Sequence, residues 1–323
     1  MTNQTRQNER VCAVVVTFNR KALLQECIAA LLDQTHPVDC VLVVDNASTD
    51  GTRQMLAHEF PRDTFPQVET LLLGRNMGGA GGFHEGMKHA FEAGFDWLWV
   101  MDDDGRPHAD CLERLLQHQK PGAVLVPLQQ DTRSLKLYGA FRWRSGSGDG
   151  DGDGPYDDAS EEVVARAQAV ESNFLFTFVG PLISRRIIEQ IGLPYSNFFI
   201  YFDDVEFALR IQEQTDSPVI AVPDALFVHD FGGVERARSF LGRISLRKAH
   251  PPWKLYYETR NYLYSVRRTR HSRRDTLRYF LFQGRRMLGD VMYEPDRWLR
   301  VKMRLRGMRD GAAGRLGKRV SPR

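Results

Sequence analysis

The sequence has 323 residues, a formal net charge of +3 at pH 7, 42% hydrophobic residues and 26% charged residues. This composition is that of a globular protein and excludes a largely disordered chain, and the length is enough for one large domain with a smaller appendage. No apolar run reaches the roughly 18 residues that a membrane-spanning helix needs, and the polar N-terminus lacks the apolar centre of a signal peptide, so we expect a cytoplasmic protein.

The charge is divided unevenly along the chain. Residues 234–323 hold 25 Lys and Arg against 7 Asp and Glu, a net charge of +18, whereas residues 1–233 have a net charge of −15. Such different parts are expected to have different partners. The sequence therefore predicts one domain over 1–235 and a basic helical region over 236–323.

Strands and helices are predicted to alternate through the first 130 residues. Short apolar runs rich in β-branched residues predict strands at 11–16, 41–44, 69–73, 97–101 and 123–127. Helices are predicted at 21–33, 83–93 and 109–118. A glycine-rich turn is predicted at 74–82. This alternation predicts an α/β fold, with a mostly parallel sheet flanked by helices.

The pattern changes after residue 130. The low-complexity segment 145–158 predicts a surface loop, and its Asp-Gly repeat lacks the terminal Glu of an EF-hand calcium loop. Strand-like sequence returns at 171–186, and an apolar strand or turn leads into a helix at 198–212. Residues 219–230 are predicted as a last pair of strands. Beyond residue 235 the chain is predicted to be helical.

Three consecutive acids, Asp102, Asp103 and Asp104, come directly after the predicted strand 97–101. Ligands of open α/β sheets bind beyond the carboxyl ends of the strands. Three carboxylates there repel one another, so a cation between them is favoured, and oxygen ligands suit Mg²⁺ or Mn²⁺, which can also bind a diphosphate. The alternative is a solvated acidic turn or a helix N-cap.

A second acidic motif, Asp203-Asp204, lies between apolar stretches, which predicts a partly buried pair of carboxylates. Burial can hold one of them basic enough to accept a proton near neutral pH. The alternative is a helix N-terminus at which acidic side chains are favourable.

Two further candidates stand at strand ends. His229 follows an apolar strand and is either a metal ligand, since imidazole binds Mn²⁺, or a packed histidine without that role. Asp45 follows the strand 41–44, where an acid commonly accepts hydrogen bonds from a nucleoside; alternatively it caps the next loop.

The segment 74–83 resembles a phosphate-binding turn before a helix. It lacks the third glycine of the dinucleotide fingerprint, where His84 stands, and it lacks the Lys-Ser/Thr of a P-loop. Arg75 and Asn76 add donors for a pyrophosphate or a sugar. The alternative is a turn that needs positive φ at several residues.

In chain order, these motifs resemble the inverting family-2 glycosyltransferases, which have the GT-A fold. The resemblance covers about residues 11–235 and depends on 17–20, 43–52, 102–104, 202–207 and His229. The segments 74–87, 99–104 and 199–207 are similar to those of the galactofuranosyltransferases of actinobacterial cell-wall galactan. Rhamnosyltransferases of the same family have similar signatures.

The resemblance implies a role for each matching residue. The uridine part of the donor would be held by Thr17, Asn19, Arg20 and Asp45. Arg75 and Asn76 would face the donor, with Asp103 also in the donor site. Mn²⁺ or Mg²⁺ and the diphosphate would be bound by Asp102, Asp104 and His229. Asp204 would be the general base, because the family's usual Glu-Asp pair is Asp203-Asp204 here.

The implied activity is metal-dependent, inverting transfer of galactofuranose from UDP-galactofuranose to a lipid-linked cell-wall or surface glycan. The alternative donor is dTDP-rhamnose. A metal-dependent nucleotidyltransferase would need a basic signature near the first glycine-rich loop, and residues 16–24 do not supply that signature. A non-catalytic nucleotide-binding module would be expected to lack one of the metal-binding acids.

The basic region 236–323 has many arginines, and its aromatic residues occur at helical spacing over 256–268. Packed helices with solvated charges would account for this pattern. We expect in addition that a basic face contacts anionic lipid headgroups, which would hold the protein at the inner face of the plasma membrane. Nucleic acid would also attract the charge, but no nucleic-acid-binding motif accompanies it.

Overall fold

The computed structural model describes residues 9–132, 136–139, 141–143, 156–230, 235–241, 243–248, 250–268 and 273–321. The strands are β1 (Val11–Thr17), β2 (Cys40–Asp45), β3 (Val68–Leu72), β4 (Trp97–Asp102), β5 (Arg106–Pro107), β6 (Val124–Asp131), β7 (Leu137–Tyr138), β8 (Phe141–Trp143), β9 (Tyr156–Asp158), β10 (Val170–Ser172), β11 (Leu182–Ser184), β12 (Val219–His229), β13 (Glu235–Phe240) and β14 (Arg243–Lys248). The helices are α1 (Lys21–Leu32), α2 (Thr52–Glu59), α3 (Gly78–Glu92), α4 (Cys111–Gln117), α5 (Ser160–Arg166), α6 (Arg185–Ile191), α7 (Asp203–Gln214), α8 (Pro252–Arg268), α9 (Arg273–Tyr293) and α10 (Arg297–Ala312), with a short 3-10 helix at Ser196–Phe198.

The central sheet has the strand order β10-β12-β6-β11-β4-β1-β2-β3 among the described residues. Strands β4, β1, β2 and β3 are parallel neighbours, and β6 is parallel to β12. The short strand β11 runs antiparallel between β4 and β6. The α/β class predicted from the alternation is confirmed. Because β4, β1 and β2 are parallel and adjacent, their carboxyl ends at Asp102, Thr17 and Asp45 meet at one edge of the sheet.

Helices cover both faces of this sheet. Every residue of β1 is buried, and successive side chains enter opposite cores, as the two-residue period of a strand requires. The core on one side includes Val14 and the α3 residue Met87. The core on the other side includes Val15 and the α1 residue Ile28. The four cysteines, Cys12, Cys27, Cys40 and Cys111, are buried free thiols, as small core residues.

The prediction of a turn over 74–82 is wrong for most of that segment, because α3 begins at Gly78. Within the segment, only Gly78 has a positive φ, of 77°. The later glycines serve close packing: a Cβ on Gly82 would lie 2.4 Å from Val16 Cγ1, and one on Gly86 would lie 2.5 Å from Val14 Cγ1. The missing side chains let α3 approach the sheet, a contact that sequence spacing alone does not reveal.

Other predicted elements need correction. The segment predicted as a pair of strands, 219–230, contains one strand, β12 (Val219–His229), with an irregular register between Val222 and Leu226. The region beyond residue 235 begins with the hairpin of β13 and β14, so it is not helical throughout. Of the predicted loop 145–158, residues 156–158 form β9 and the rest lies outside the described residues.

The C-terminal helices pack closely on one another. A Cβ on Gly307 or Gly311 of α10 would lie 2.6 Å or 2.5 Å from a backbone oxygen of α8, so these glycines permit the contact. Arg304 donates to Asp290 over 2.7 Å in the buried interface. Among the described residues, no helix combines the length and the apolar character needed to cross a bilayer.

Candidate active site

A cleft of about 440 Å³ opens at the carboxyl edge of the sheet. Its lining comes from the ends of β1 and β4, the start of α3, the residues around the start of α7, and the start of α8. The polar and charged residues of the lining are Thr17, Arg20, Asn46, Asn76, Asp102, Asp103, Tyr201, Asp203, Asp204, Trp253 and Lys254. The cleft therefore joins both predicted acidic motifs and also includes residues from the basic C-terminal region.

Asp102, Asp104 and His229 form a cluster beside the cleft. One potential ligand atom from each lies within 4.8 Å of the other two, and His229 Nε2 is 3.2 Å from Asp104 Oδ1. The fold explains the meeting, because β5 pairs with the end of β12 and so turns the segment after Asp102 towards His229. Two carboxylates and an imidazole are a donor set that suits Mn²⁺.

The electrostatics of this cluster favour a bound cation. Burial, followed by the charges of Asp104 and Asp103, raises the pKa of Asp102 to about 8. Burial also opposes ionisation of Asp104, but the hydrogen bond and charge of His229 and the charge of Arg20 outweigh it, so the pKa of Asp104 is lowered. A divalent cation would relieve the repulsion between these carboxylates, so the residues fit such an ion.

Asp103 has a different environment from its two neighbours. Thr17 Oγ1 donates to Asp103 Oδ2 over 2.7 Å, and Arg20 Nη1 donates to Asp103 Oδ1 over 3.2 Å and to Asp104 Oδ2 over 2.8 Å. Burial outweighs these contacts and raises the pKa of Asp103 to about 6. Asp103 thus connects the end of β4 to the loop after β1 and is not one of the three clustered potential ligands.

The other residues predicted to bind the nucleotide-sugar donor divide into two groups. Asn76 lines the cleft, as Thr17 and Arg20 do, whereas Arg75 is exposed and lies outside the lining. Asn19 and Asp45 stabilise the loop after β2: Thr49 N donates to Asn19 Oδ1 over 2.7 Å, and Ser48 N donates to Asp45 Oδ1 over 2.8 Å. The Asp45 carboxylate is fully buried and also accepts from Arg53, which is the capping role considered for it above.

Asp203 and Asp204 begin α7 and line the cleft. Val205 N donates to Asp204 Oδ1 over 2.7 Å. Burial raises the pKa of Asp204, and burial together with the charge of Asp204 raises the pKa of Asp203. Carboxylates in this state accept a proton more readily than exposed ones do, which suits general-base chemistry.

The chain just before these carboxylates has an unusual backbone. Phe199, Tyr201 and Phe202 have φ of 68°, 67° and 67°, in the left-handed region that non-glycine residues seldom adopt. Each such residue costs about 1–3 kcal/mol and persists only where the surroundings hold it. We refer to residues 198–202 as the base loop.

Sequence reasoning missed four polar or aromatic residues of the cleft: Asn46, Tyr201, Trp253 and Lys254. Asn46 Nδ2 donates to Gly78 O over 2.8 Å and so links the end of β2 to the start of α3. Trp253 and Lys254 come from α8, and Lys254 Nζ lies 5.7 Å from the ring centroids of Tyr201 and Trp253. Burial and the charge of Arg20 lower the pKa of Lys254. The only sequence signal for Trp253 and Lys254 was their place in the basic, aromatic region.

Replacing Gly78 by Ala is expected to destabilise the protein by about 2–4 kcal/mol, since overpacking and a positive φ both oppose the new methyl group. A Cβ there would lie 1.9 Å from Phe199 O. Gly79→Ala is the matched control, because its nearest neighbour would be Phe83 at 4.0 Å. Urea unfolding of both variants measures the difference. Wild-type stability of Gly78→Ala would contradict the described contact between α3 and the base loop.

Comparison with known proteins is consistent with this geometry. The profile of glycosyl transferase family 2 matches residues 12–144. Galactofuranosyltransferase GlfT1 of Mycolicibacterium smegmatis is 30% identical over 262 residues, which are 78% of this chain and 82% of the relative. The dTDP-rhamnosyl transferase RfbF of Shigella flexneri is 23% identical, over 79% of each chain.

A solved structure shares the fold. The crystal structure of GalNAc-T7 with UDP, GalNAc and Mn²⁺ has a TM-score of 0.59 and 13% sequence identity, with coverage of 81% of this chain and 48% of that one. The chain thus spans about half of that structure. At this identity the likeness concerns the fold alone, and it confirms the predicted GT-A type.

Proposed function

Because the chain belongs to glycosyl transferase family 2, we propose that it transfers galactofuranose from UDP-galactofuranose to a lipid-linked glycan, with inversion at the anomeric carbon. The chain is a glycosyltransferase, so a sugar donor and a glycan acceptor follow from its family. The single observation that supports the detailed proposal most is the cleft itself. It joins Asp102 of the metal-type cluster to the pair Asp203-Asp204, of which Asp203 is buried and Asp204 is half-buried.

Asp102, Asp104 and His229 would hold Mn²⁺ or Mg²⁺ at the donor diphosphate. A cation bound there would offset the negative charge on the departing nucleoside diphosphate. Arg20 and Lys254 add two cationic side chains to the cleft lining, and among the described residues Lys254 forms no ion pair with a carboxylate. Both suit contacts with phosphate oxygens.

The uridine part of the donor would lie by the loops after β1 and β2. Thr17, Asn76 and Asp103 offer polar groups in the cleft lining. Asn19 and Asp45 would act by shaping the loop after β2, because their side chains are already bound to its backbone. Arg75, at the exposed start of the glycine-rich segment, would contact the donor only from the rim.

Asp204 would be the general base. Its carboxylate would take the proton of the acceptor hydroxyl while that oxygen bonds to the anomeric carbon and the bond to the diphosphate breaks. The attack comes from the face opposite the leaving group, so one displacement inverts the configuration. No nucleophilic side chain is needed in this scheme.

A donor screen tests the proposal. The purified full-length chain would be incubated with UDP- and dTDP-sugars, Mn²⁺ and a lipid-linked glycan, with hydrolysis measured in parallel. We expect transfer from UDP-galactofuranose. Transfer from dTDP-rhamnose alone would establish the alternative suggested by the similarity to RfbF. Release of pyrophosphate from a nucleoside triphosphate and a sugar phosphate, without glycosyl transfer, would support a nucleotidyltransferase.

The acceptor's lipid suggests contact with a membrane, and α9 offers a surface for it. Leu277, Leu281 and Leu288 share one side of the helix by their spacing and are 60%, 66% and 60% exposed. The net charge of the surrounding region is +18. Exposed leucines and nearby arginines are typical of protein surfaces that bind anionic membranes. We propose that the basic region binds such a membrane.

Charge reversal at Arg267, Arg268, Arg270, Arg273 and Arg274 is expected to weaken binding to anionic vesicles by about tenfold or more, since each cation near such a surface contributes roughly 1 kcal/mol at best. Wild-type binding should fade at high salt and be absent for neutral vesicles. Vesicle co-sedimentation gives the measurement. Reversal of Arg62 and Lys88, both exposed in the acidic part, is the control. Undiminished binding by the folded variant would exclude this segment as the contact.

A further inference from the structure

Two buried polar side chains of α8 are directed at the base loop. Asn261 Nδ2 lies 3.0, 2.9 and 2.8 Å from the carbonyl oxygens of Phe198, Ile200 and Tyr201. Arg260 Nη2 donates to Phe198 O over 2.7 Å. Both side chains are 0% exposed, so their donors satisfy backbone acceptors that water does not reach.

The opposite side of the base loop is held by α3. Ala80 N donates to Phe199 O over 3.2 Å, and the absent side chain of Gly78 makes room for the Phe199 carbonyl. The loop is therefore clamped between the glycine-rich start of α3 and the middle of α8. The strained φ values of Phe199, Tyr201 and Phe202 need such support from both sides.

The base loop is joined directly to the two carboxylates of the cleft. Phe202 is the residue before α7, and Asp203 and Asp204 are the first two residues of that helix. A shift in the base loop therefore moves both carboxylates relative to the cleft. An asparagine that only filled space in a helix interface would not need three carbonyl oxygens of another segment within 3.0 Å of its amide.

We propose that Asn261, supported by Arg260, is a positioning residue for the general base: it holds the base loop in its strained conformation and so aims Asp204 at the acceptor hydroxyl. The proposal rests on the proposed function for the identity of the base. It also assigns the basic C-terminal region a second role, because α8 completes the active site from outside the predicted domain 1–235.

The test uses Asn261→Ala and Asn261→Asp in the full-length chain; the second keeps the shape but turns an acceptor oxygen towards the carbonyls. We expect kcat to fall by about 10–100-fold, since small misplacements of catalytic groups have effects of this order, while KM for the donor changes less than about threefold. Asp290→Asn is the matched control. It weakens the buried 2.7 Å contact with Arg304 between α9 and α10, away from the base loop, and should leave kcat unchanged.

A double-mutant cycle with Asp204→Asn tests whether Asn261 affects kcat by positioning Asp204 or by stabilising the protein in general. If Asn261 acts through Asp204, then Asn261→Ala should lower kcat little further in the Asp204→Asn background. Full additivity of the two losses, an equal loss in Asp290→Asn, or wild-type kcat in both Asn261 variants would overturn the proposal.

Hydrogen exchange supplies a readout that does not depend on the assigned activity. Amides of residues 198–207 should exchange faster in Asn261→Ala than in the wild type and in Asp290→Asn. Unchanged exchange there would overturn the clamp even if the enzyme is active. A wild type that transfers no sugar, with faster exchange in the variant, would instead remove the proposed function and leave the clamp standing.

Discussion

Asp102→Ala is expected to abolish sugar transfer, with a loss of at least about 10³-fold, and to weaken UDP binding in Mn²⁺, because the three-residue cluster would lose one of its ligands. Asp104→Ala should behave alike, since its carboxylate lies 3.2 Å from His229 within the same cluster. Transfer assays and calorimetric titration of UDP, each with and without Mn²⁺, measure the two effects. Full activity of the wild type in EDTA would eliminate the metal role.

Asp110→Asn is a suitable control for these variants, as this acid stands just before α4 and pairs with Arg114 outside the cleft.

The thermal stability of Asp102→Asn tests whether Asp102 serves metal binding or the stability of the fold. The pKa of Asp102 is raised to about 8 in the fold, so its ionisation opposes folding as the pH rises above the ordinary carboxyl value. At neutral pH without metal, the neutral variant should therefore unfold at the same temperature as the wild type or higher. A clear loss of stability would indicate a structural role.

Asp204→Asn is expected to slow turnover by about 10²-fold or more and to leave donor binding almost intact, because the amide has nearly the same shape but cannot accept the proton. The amide oxygen can still accept from Val205 N, as Asp204 Oδ1 does over 2.7 Å. Steady-state kinetics and UDP titration separate these effects. Wild-type turnover in the variant would move the base elsewhere, and Asp203 is then the next candidate.

The pH dependence of the wild type should agree with this assignment. Burial raises the pKa of Asp204 above that of an ordinary carboxyl group. A base must be ionised to accept a proton, so kcat should fall as the pH is lowered through this raised pKa and be full above it. The decline should disappear from the residual activity of Asp204→Asn. A wild-type kcat that stays constant down to about pH 4, the ordinary carboxyl value, would contradict Asp204 as a base with a raised pKa.

The local pattern of apolar residues was enough to predict the strands and helices whose buried side chains repeat regularly along the chain. The apolar run of β1 predicted a buried strand, and the three- and four-residue spacing of apolar residues in α1 predicted a helix. Both predictions follow because the side chains that face the core must be apolar, and the geometry of each element sets their spacing. The chain order of strands and helices also predicted parallel strands, whose carboxyl ends must share one edge. In the structure Asp102 and Thr17, at the ends of two neighbouring parallel strands, both line the cleft.

Contacts between distant segments were decided only by the tertiary structure. The first glycines of α3 were predicted as a turn, because the preference of glycine for turns can be seen in the local sequence. The close contacts of Gly82 with Val16 and of Gly78 with Phe199 join distant segments, and the local sequence does not show them. The pairing of β5 with β12, which brings Asp104 to His229, likewise depends on partners far apart in sequence. Lys254 and Asn261 had no recognisable pattern, since what marks them is the part of the cleft or the base loop that they touch. The sequence by itself thus determined the sheet, its functional edge and the two acidic motifs, while the packing of α8 against the base loop decided how the site is completed, because no local periodicity encodes that contact.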